Sequence, residues 1–545
     1  MIAKHFAIDY HIIGMNFKNM QEPGQRRLDK NMRPVLVWPM RFSRLFLVLL
    51  ATVSVLLSVG PASAKTRKHI RHHKHKPPVV MVVEGPHLAL KTWQKRKFAK
   101  KTIVFLGSGL GIVPYNDKAV ASILKRMRAG RWEGLLEKEY PASKFYPVGP
   151  STYLYLAWKA GMVKQVYWVP PTKGSIGKGI IYDPMAFIGG LGFDDKAAKN
   201  VKMTDKYVKA KLNGVPVYIC GLKDLPPLRD AVVVIDLSFF PPLYQDEIKT
   251  PFLDLFRGFM ETFKTRKLKV SYVFISNSTG MKLVPIEFRF VGGYLKTFFR
   301  EPWKLKDGPL PEWEFRSRGM EYNTFFQPDD MLRNYKQAVE HSPRDASLRF
   351  DLSKAYLYIK NATEIRKNLD EAVRLDGGYY LQYIEMGSYF TGQGMPEDAE
   401  YFLKKARKAC PDDPRIYEAY GKLYSVWGKY ADSIKAYKKI ISLGFENDVI
   451  YGGMADSYQK LGQYEKAREC YKKALSYIPQ VDAKSRSALL MGLADAYLSD
   501  KKPEEAVKTY EEVLYGTPEG HARDELQNKI DDIKSEWEPF LNPGH

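Results

Sequence analysis

The chain has 545 residues, enough for two or three domains with real cores, and its 45 % apolar content is ordinary for a globular protein. A net charge of +24 invites a nucleic-acid reading, but residues 65–101 hold +11 of it and residues 331–545 hold −2, so the basic density is a tether and argues against nucleic acid. The three cysteines, Cys220, Cys410 and Cys470, have no CxxC spacing and no histidine companions, which argues against a zinc site or a disulfide framework.

In chain order, residues 1–39 read as a polar leader upstream of the true start at Met40, with Met32 as the second choice. Residues 40–64 read as a signal peptide. Arg41 and Arg44 precede an apolar run from Leu45 to Val59, and Ala62-Ser63-Ala64 supplies a cleavage site. The chain is therefore expected to be exported to the periplasm or cell envelope, with an uncleaved anchor as the alternative. Residues 65–79 form a basic linker with His69, His72, His73 and His75. It reads as a solvated segment able to rest on a membrane or cell-wall surface; metal binding is its other reading.

Residues 80–325 alternate β-branched runs with helical stretches. "VVMVV", "TIVFLG", "QVYWV", "VPVYIC", "AVVVIDLSFF" and "VSYVFIS" read as strands. Helical periodicity begins at Ala119 and again over 251–266. Near-continuous apolar strands with helices between them predict a mostly parallel sheet in a three-layer α/β/α domain. The strand "TIVFLG" runs into Gly107, Gly109 and Gly111. A dinucleotide site needs G-x-G-x-x-G, and Ile112 stands at the third glycine; a Walker loop needs G-K-[ST], which is absent there. The glycines are expected to form a tight strand-to-helix turn.

Four stretches carry a resemblance over most of this segment: "VVMVVEGPHLALKTW", "YPVGPSTYLYLAWKAGMVKQVYWVPP", "GVPVYICGLKDLPPLRDAVVVIDLSFF" and "VSYVFISNSTGMKLVPIE". In their order they resemble the uncharacterised arginase/deacetylase-like hydrolases, which implies an α/β/α fold and a ureohydrolase-type metal centre. The resemblance also implies loss of that centre. Val104, Leu106, Ser108 and Leu110 stand where the family has its His-x-Asp-x-His-x-Asp ligands. Asp236 remains, but Ser238 replaces the second carboxylate, and Glu84 matches the acidic residue after the opening strand. No histidine occurs between residues 88 and 340. The expected eroded site is thus Glu84, Leu106, Ser108, Leu110, Asp236 and Ser238, with no catalytic residue, metal or cofactor.

The C-terminal segment, 329–520, is periodic. Phe390, Tyr424 and Tyr458 recur at 34 residues, as do Ala399, Ser433 and Ala467, and Leu403, Tyr437 and Tyr471. Gly387 and Gly421 hold a small helix-crossing position, and Pro411 and Pro479 end two units. A further unit (Tyr497, Ala506, Tyr510, Pro518) follows a five-residue insertion. An earlier one, around Tyr356 and Ala372, is degenerate, and Tyr335, Ala338 and Pro343 form half of another. This is similar to the tetratricopeptide repeat, an α-solenoid of helix pairs. The expectation is five helix pairs over about 345–520 and a capping helix over 521–540. Cys410 and Cys470 then become small buried apolar residues. The resemblance implies a protein-binding groove lined by Phe350, Lys354, Glu418, Lys422, Asp456, Gln459 and Asp495, or one used only to dock the preceding domain.

Together these readings predict an exported, non-enzymatic interaction protein whose array recruits another protein. The alternative is an active envelope hydrolase with a rearranged carboxylate site built on Asp236, Glu84 and Asp194.

Overall fold

The computed structural model describes residues 77–136, 146–172, 176–177, 181–245, 250–279, 284–480 and 482–541. The stretches read as leader (1–39) and signal peptide (40–64), and residues 65–76 of the linker stretch with all four of its histidines, lie outside the described residues. Eight strands form one sheet: β1 (Val79–Val83), β2 (Lys101–Leu106), β3 (Val163–Val169), β4 (Ala198–Met203), β5 (Val208–Leu212), β6 (Val215–Ile219), β7 (Ala231–Asp236) and β8 (Val270–Ser276). Their order is β1-β8-β7-β2-β3-β6-β5-β4. The first six are mutually parallel, and β5 and β4 continue the sheet antiparallel. The expected mostly parallel sheet is present. The sequence reading missed β4 and β5, whose solvent-facing lysines hide the apolar alternation.

Each central strand sends alternate residues to opposite faces. Ile103, Phe105, Val232 and Val234 join one apolar core with α1 (Ala89–Lys95), α2 (Asp117–Arg128), α3 (Tyr153–Lys159) and α4 (Pro184–Gly190). Val104, Leu106, Val233 and Ile235 join the other, beneath α5 (Phe240–Gln245), α6 (Phe252–Thr265) and α7 (Phe290–Arg300). The result is three layers. Register sets the strand ends in a row: Val83 and Asp236 both pair with Ser276, and Leu106 pairs with Ile235.

Six helix pairs follow: α8 (Pro311–Thr324) with α9 (Pro328–His341), α10 (Ala346–Tyr358) with α11 (Ala362–Leu375), α12 (Leu381–Gly392) with α13 (Pro396–Ala409), α14 (Pro414–Val426) with α15 (Tyr430–Ser442), α16 (Asp448–Lys460) with α17 (Tyr464–Leu475), and α18 (Ala483–Ser499) with α19 (Pro503–Gly516). The last helix, α20 (His521–Leu541), covers the end with Leu526, Ile530 and Ile533. Glycines permit the close crossings. A Cβ on Gly387 would lie 2.5 Å from Leu403, and one on Gly421 would lie 2.6 Å from Tyr437. The α8–α9 pair obeys the same rule, since a Cβ on Gly319 would lie 2.5 Å from Tyr335. The stack therefore begins one pair earlier than the five expected, and the boundary drawn between 325 and 329 falls inside this hairpin. The second helix of the "degenerate" unit, α11, is a full 14 residues. Cys410 and Cys470 are half-buried rather than buried; only Cys220 is fully enclosed.

Candidate functional site

At the carboxyl ends of β1, β8, β7 and β2, polar residues meet beneath the glycine loop. Asp236 is 5 % exposed and ends β7. Its Oδ1 accepts the backbone N–H of Ser238 at 2.9 Å, and its Oδ2 accepts the Ser278 hydroxyl. Ser278 also contacts Ser276 Oγ at 2.8 Å, and Ser238 Oγ accepts the Ser108 N–H at 3.1 Å. Asp236 thus works as a capping carboxylate holding three loops together. Tyr153 lies nearby, fully buried, and its hydroxyl makes no hydrogen bond to the described residues. Burial, and secondarily the Asp236 charge, hold that phenol well above its ordinary pKa, so it stays neutral.

The glycine loop is not the tight turn expected. Ten residues, 107–116, separate β2 from α2, and none of Gly107, Gly109 and Gly111 has a left-handed φ. Two of the glycines are present for closeness. A Cβ on Gly107 would sit 2.9 Å from the Phe105 ring and 3.1 Å from Asp236 Cβ, and one on Gly111 would sit 2.5 Å from Pro150 O and the Tyr153 ring. Leu106 and Leu110 are buried in apolar cores, Ser108 is exposed, and Ser238 is buried.

Glu84 is 8 % exposed; its carbonyl accepts the Ser278 N–H at 2.8 Å, while its carboxylate turns to other partners. Arg289, just before α7, donates Nη2 to Glu84 Oε1 at 2.5 Å and Nη1 to Oε2 at 2.9 Å. The same guanidinium turns its other edge to Asp376, at 2.7 Å from Nε and 2.9 Å from Nη2. Asp376 belongs to the loop after α11, so one arginine ties the sheet to the helical array. Thr279 Oγ1 accepts from Nη1 at 2.8 Å, and Tyr379 places its ring 5.6 Å from the guanidinium carbon. Burial disfavours charge on Arg289, but the bonds from Glu84 and Asp376 outweigh it and hold its pKa above the ordinary value. Asp376 is held below the ordinary carboxylate range: burial works against this, and the Arg289 bonds prevail. Sequence reasoning missed Arg289 and Asp376, since neither sits in a motif and only the fold brings them together.

A second arginine repeats the theme. Arg316 of α8 is 1 % exposed, bonds Asp351 of α10 at 2.7 Å and Ser347 at 2.5 Å, and lies 4.6 Å over the Phe290 ring of α7. Lys354 of α10 donates to Glu287 Oε1, before α7, at 2.6 Å.

The expected groove residues divide accordingly. Phe350 is buried against Tyr379, and Lys354 is taken by Glu287 of the α/β segment. Glu418 and Lys422 pair with each other along α14 at 2.7 Å, with Lys422 exposed. Asp456 Oδ1 and Gln459 Oε1 lie 2.5 and 2.9 Å from the Tyr471 hydroxyl, and Asp495 accepts from Tyr510 and from Lys529, the latter at 2.8 Å. Among the described residues no group of three His, Cys, Asp or Glu side chains is placed to hold a metal ion, and no helix is long and apolar enough to cross a membrane.

Comparison with known proteins bears on the array. A tetratricopeptide-repeat family profile matches residues 448–514, and a profile of YpiA-like tetratricopeptide repeats matches 392–445. Anaphase-promoting complex subunit 6 of Arabidopsis thaliana is 25 % identical over 178 residues, 32 % of this chain and 32 % of that protein. The chain thus spans about a third of the length of this curated relative. Among solved structures, Pseudomonas aeruginosa pilF is similar with 17 % identity, covering 40 % of this chain and 97 % of that one at a TM-score of 0.29. Yeast Tom70 is similar with 14 % identity, covering 56 % and 60 % at 0.30. The C-terminal segment carries tetratricopeptide repeats, the helix-pair units of a protein-interaction scaffold.

Proposed function

We propose that the chain is a non-enzymatic interaction protein of the cell envelope. In this reading a catalytically silent α/β unit, derived from an arginase/deacetylase-like hydrolase, is clamped to the first units of a tetratricopeptide array. The later units, around Glu418, Lys422, Asp456, Gln459 and Asp495, recruit a second protein. The signal Met40–Ala64 exports the chain, and the basic linker contacts the membrane or wall surface.

One observation carries the reading: both strand-end carboxylates are already committed. Glu84 is neutralised by Arg289, and Asp236 is spent on Ser238 and Ser278. A hydrolytic metal centre needs free imidazole or carboxylate ligands and a water whose pKa it can lower. Leu106 and Leu110 donate nothing. Of the groove's first positions, Phe350 is buried within the array against Tyr379 and Lys354 is taken by Glu287 of the α/β segment, which leaves the outer units for a partner.

The test is the full chain, dialysed and supplied with Mn or Zn, assayed for amidine and acyl-amide hydrolysis beside Asp236→Ala. No turnover in either is expected. Turnover that disappears in the variant would restore the active-hydrolase reading. Sequencing the N-terminus of the envelope-fraction protein checks export, with Lys65 expected first.

A further inference from the structure

The antiparallel end of the sheet has two unlike faces. On one, Ala198, Val208, Ala210, Leu212, Val217 and Ile219 enter the core. On the other, Lys199, Lys202, Lys209 and Lys211 are exposed. Lys199 stands directly opposite Lys211, and Lys202 opposite Lys209. Two residues three apart normally point to opposite faces of a strand. Here Asn200, at φ 54°, inserts a bulge between Lys199 and Lys202 and turns both to the same side.

Like charges directly opposite each other destabilise a sheet. Lysine on an exposed edge has a known use in blocking edge-to-edge pairing, and β4 is the edge. That explains Lys199 and Lys202. It does not explain Lys209 and Lys211, which lie on the inner strand β5 and whose effect is to place four ammoniums in a grid. Among the described residues none of the four has a carboxylate partner, and Asp205 is the sole acidic residue between Ala198 and Cys220. The grid measures about 7 Å along β5 and about 5 Å across to β4.

Beside Lys209 lies a cluster of tyrosines. Tyr167 and Tyr218 stack at 4.8 Å and 17°, Tyr207 meets Tyr218 edge-on at 5.5 Å, and Lys209 lies 5.3 Å over Tyr218. Tyr167 and Tyr218 cover a face of each other and all three rings are partly buried, which disfavours the stacking of a nucleic-acid base. None of the large exposed apolar side chains among the described residues lies on β3, β4, β5 or β6, which disfavours insertion into lipid. The charges are lysine point charges without arginine's fork, suited to groups spread along a polymer.

We propose that this face, Lys199, Lys202, Lys209 and Lys211 beside Tyr218, binds an acidic polysaccharide whose carboxylates or sulfates lie along the two lysine rows. The probe is sodium alginate, a polyuronate, with the full chain at low salt. The variant Lys199→Gln/Lys202→Gln/Lys209→Gln/Lys211→Gln is compared with Lys438→Gln/Lys460→Gln/Lys484→Gln/Lys508→Gln, which removes the same charge from exposed positions on the array. The first is expected to weaken binding about tenfold or more, and the second less than about twofold. Circular dichroism checks folding; should the quadruple variant unfold, Lys209→Gln/Lys211→Gln is used in its place. Equal losses in both variants, no loss in the first, or a larger loss on oligodeoxythymidine or phosphatidylserine vesicles than on alginate would overturn the proposal.

Discussion

Gly378 has no side chain, and the Arg289 guanidinium occupies the space where one would be. A Cβ there would fall 2.1 Å from Nη2. The arginine cannot retreat, because Glu84 and Thr279 hold its far side. Gly378→Ala is therefore expected to break the Arg289–Asp376 pair and cost roughly 1–3 kcal/mol in urea unfolding; an unchanged midpoint would show that the clamp has slack. Nothing local in the sequence marks this pair, since Glu84 and Arg289 are 205 residues apart and Arg289 and Asp376 are 87 apart. Asp236 was legible through the family resemblance, and its reading as a strand-end or capping carboxylate holds, though its partners Ser238 N and the Ser278 hydroxyl were visible only in the fold. His87 offers a pH test at the same scale. Burial pushes its pKa down to about 4 from 6.5, so the folded chain holds it neutral while the unfolded chain protonates it. Its stabilising contribution is complete above about pH 6.5 and is lost as pH falls toward 4, a change on the order of 3 kcal/mol. His87→Met should flatten the unfolding midpoint over that window relative to the parent chain.

The repeating helices announce themselves through spacing, and their turns carry a signal that the sequence reading overlooked. Phe326, Lys360, Gly394, Gly428 and Gly462 all have left-handed φ, between 54° and 72°, at intervals of 34 residues. Glycine fills three of the five. Phe326 and Lys360 obscure the pattern in the first two units, which is where the array was read as degenerate or half formed. Within a pair the crossing depends on a missing side chain. Tyr437 is wedged between Gly421 and Gly453, with closest approaches of 2.6 and 2.5 Å to the Cβ each would bear. Gly421→Leu should force α14 from α15 and lower stability by roughly 1–3 kcal/mol in thermal unfolding. An unchanged melting curve would mean that the pair is held by something other than this contact. The strands divide by a similar logic. Strands buried on both faces read as continuous β-branched runs, whereas β4 and β5 face solvent on one side and their lysines break the run.

At the scale of the molecule, the sheet and the array share their boundary elements. Helix α8 packs Trp313 against Phe256 and Tyr294, a stacked contact of 3.8 Å for the latter, and so belongs to the α/β core. One turn on, Arg316 reaches Asp351 of α10, and Gly319 receives Tyr335 of α9. Three cationic side chains, Arg289, Arg316 and Lys354, all have carboxylate partners across this junction. A boundary drawn from segment pattern and repeat spacing at residue 325 therefore cuts through a core rather than a linker. A fragment ending at 325 leaves Arg316 without Asp351 and Arg289 without Asp376, and removing one member of a buried pair costs about 3–5 kcal/mol. A fragment ending at 409 keeps both pairs and closes the stack on α13. The shorter fragment is thus expected to unfold at lower urea and to bind a hydrophobic dye, and the longer one to do neither. Equal midpoints without dye binding would show that the junction adds no stability and that the α/β unit folds independently of the array, leaving Lys354 available to a partner.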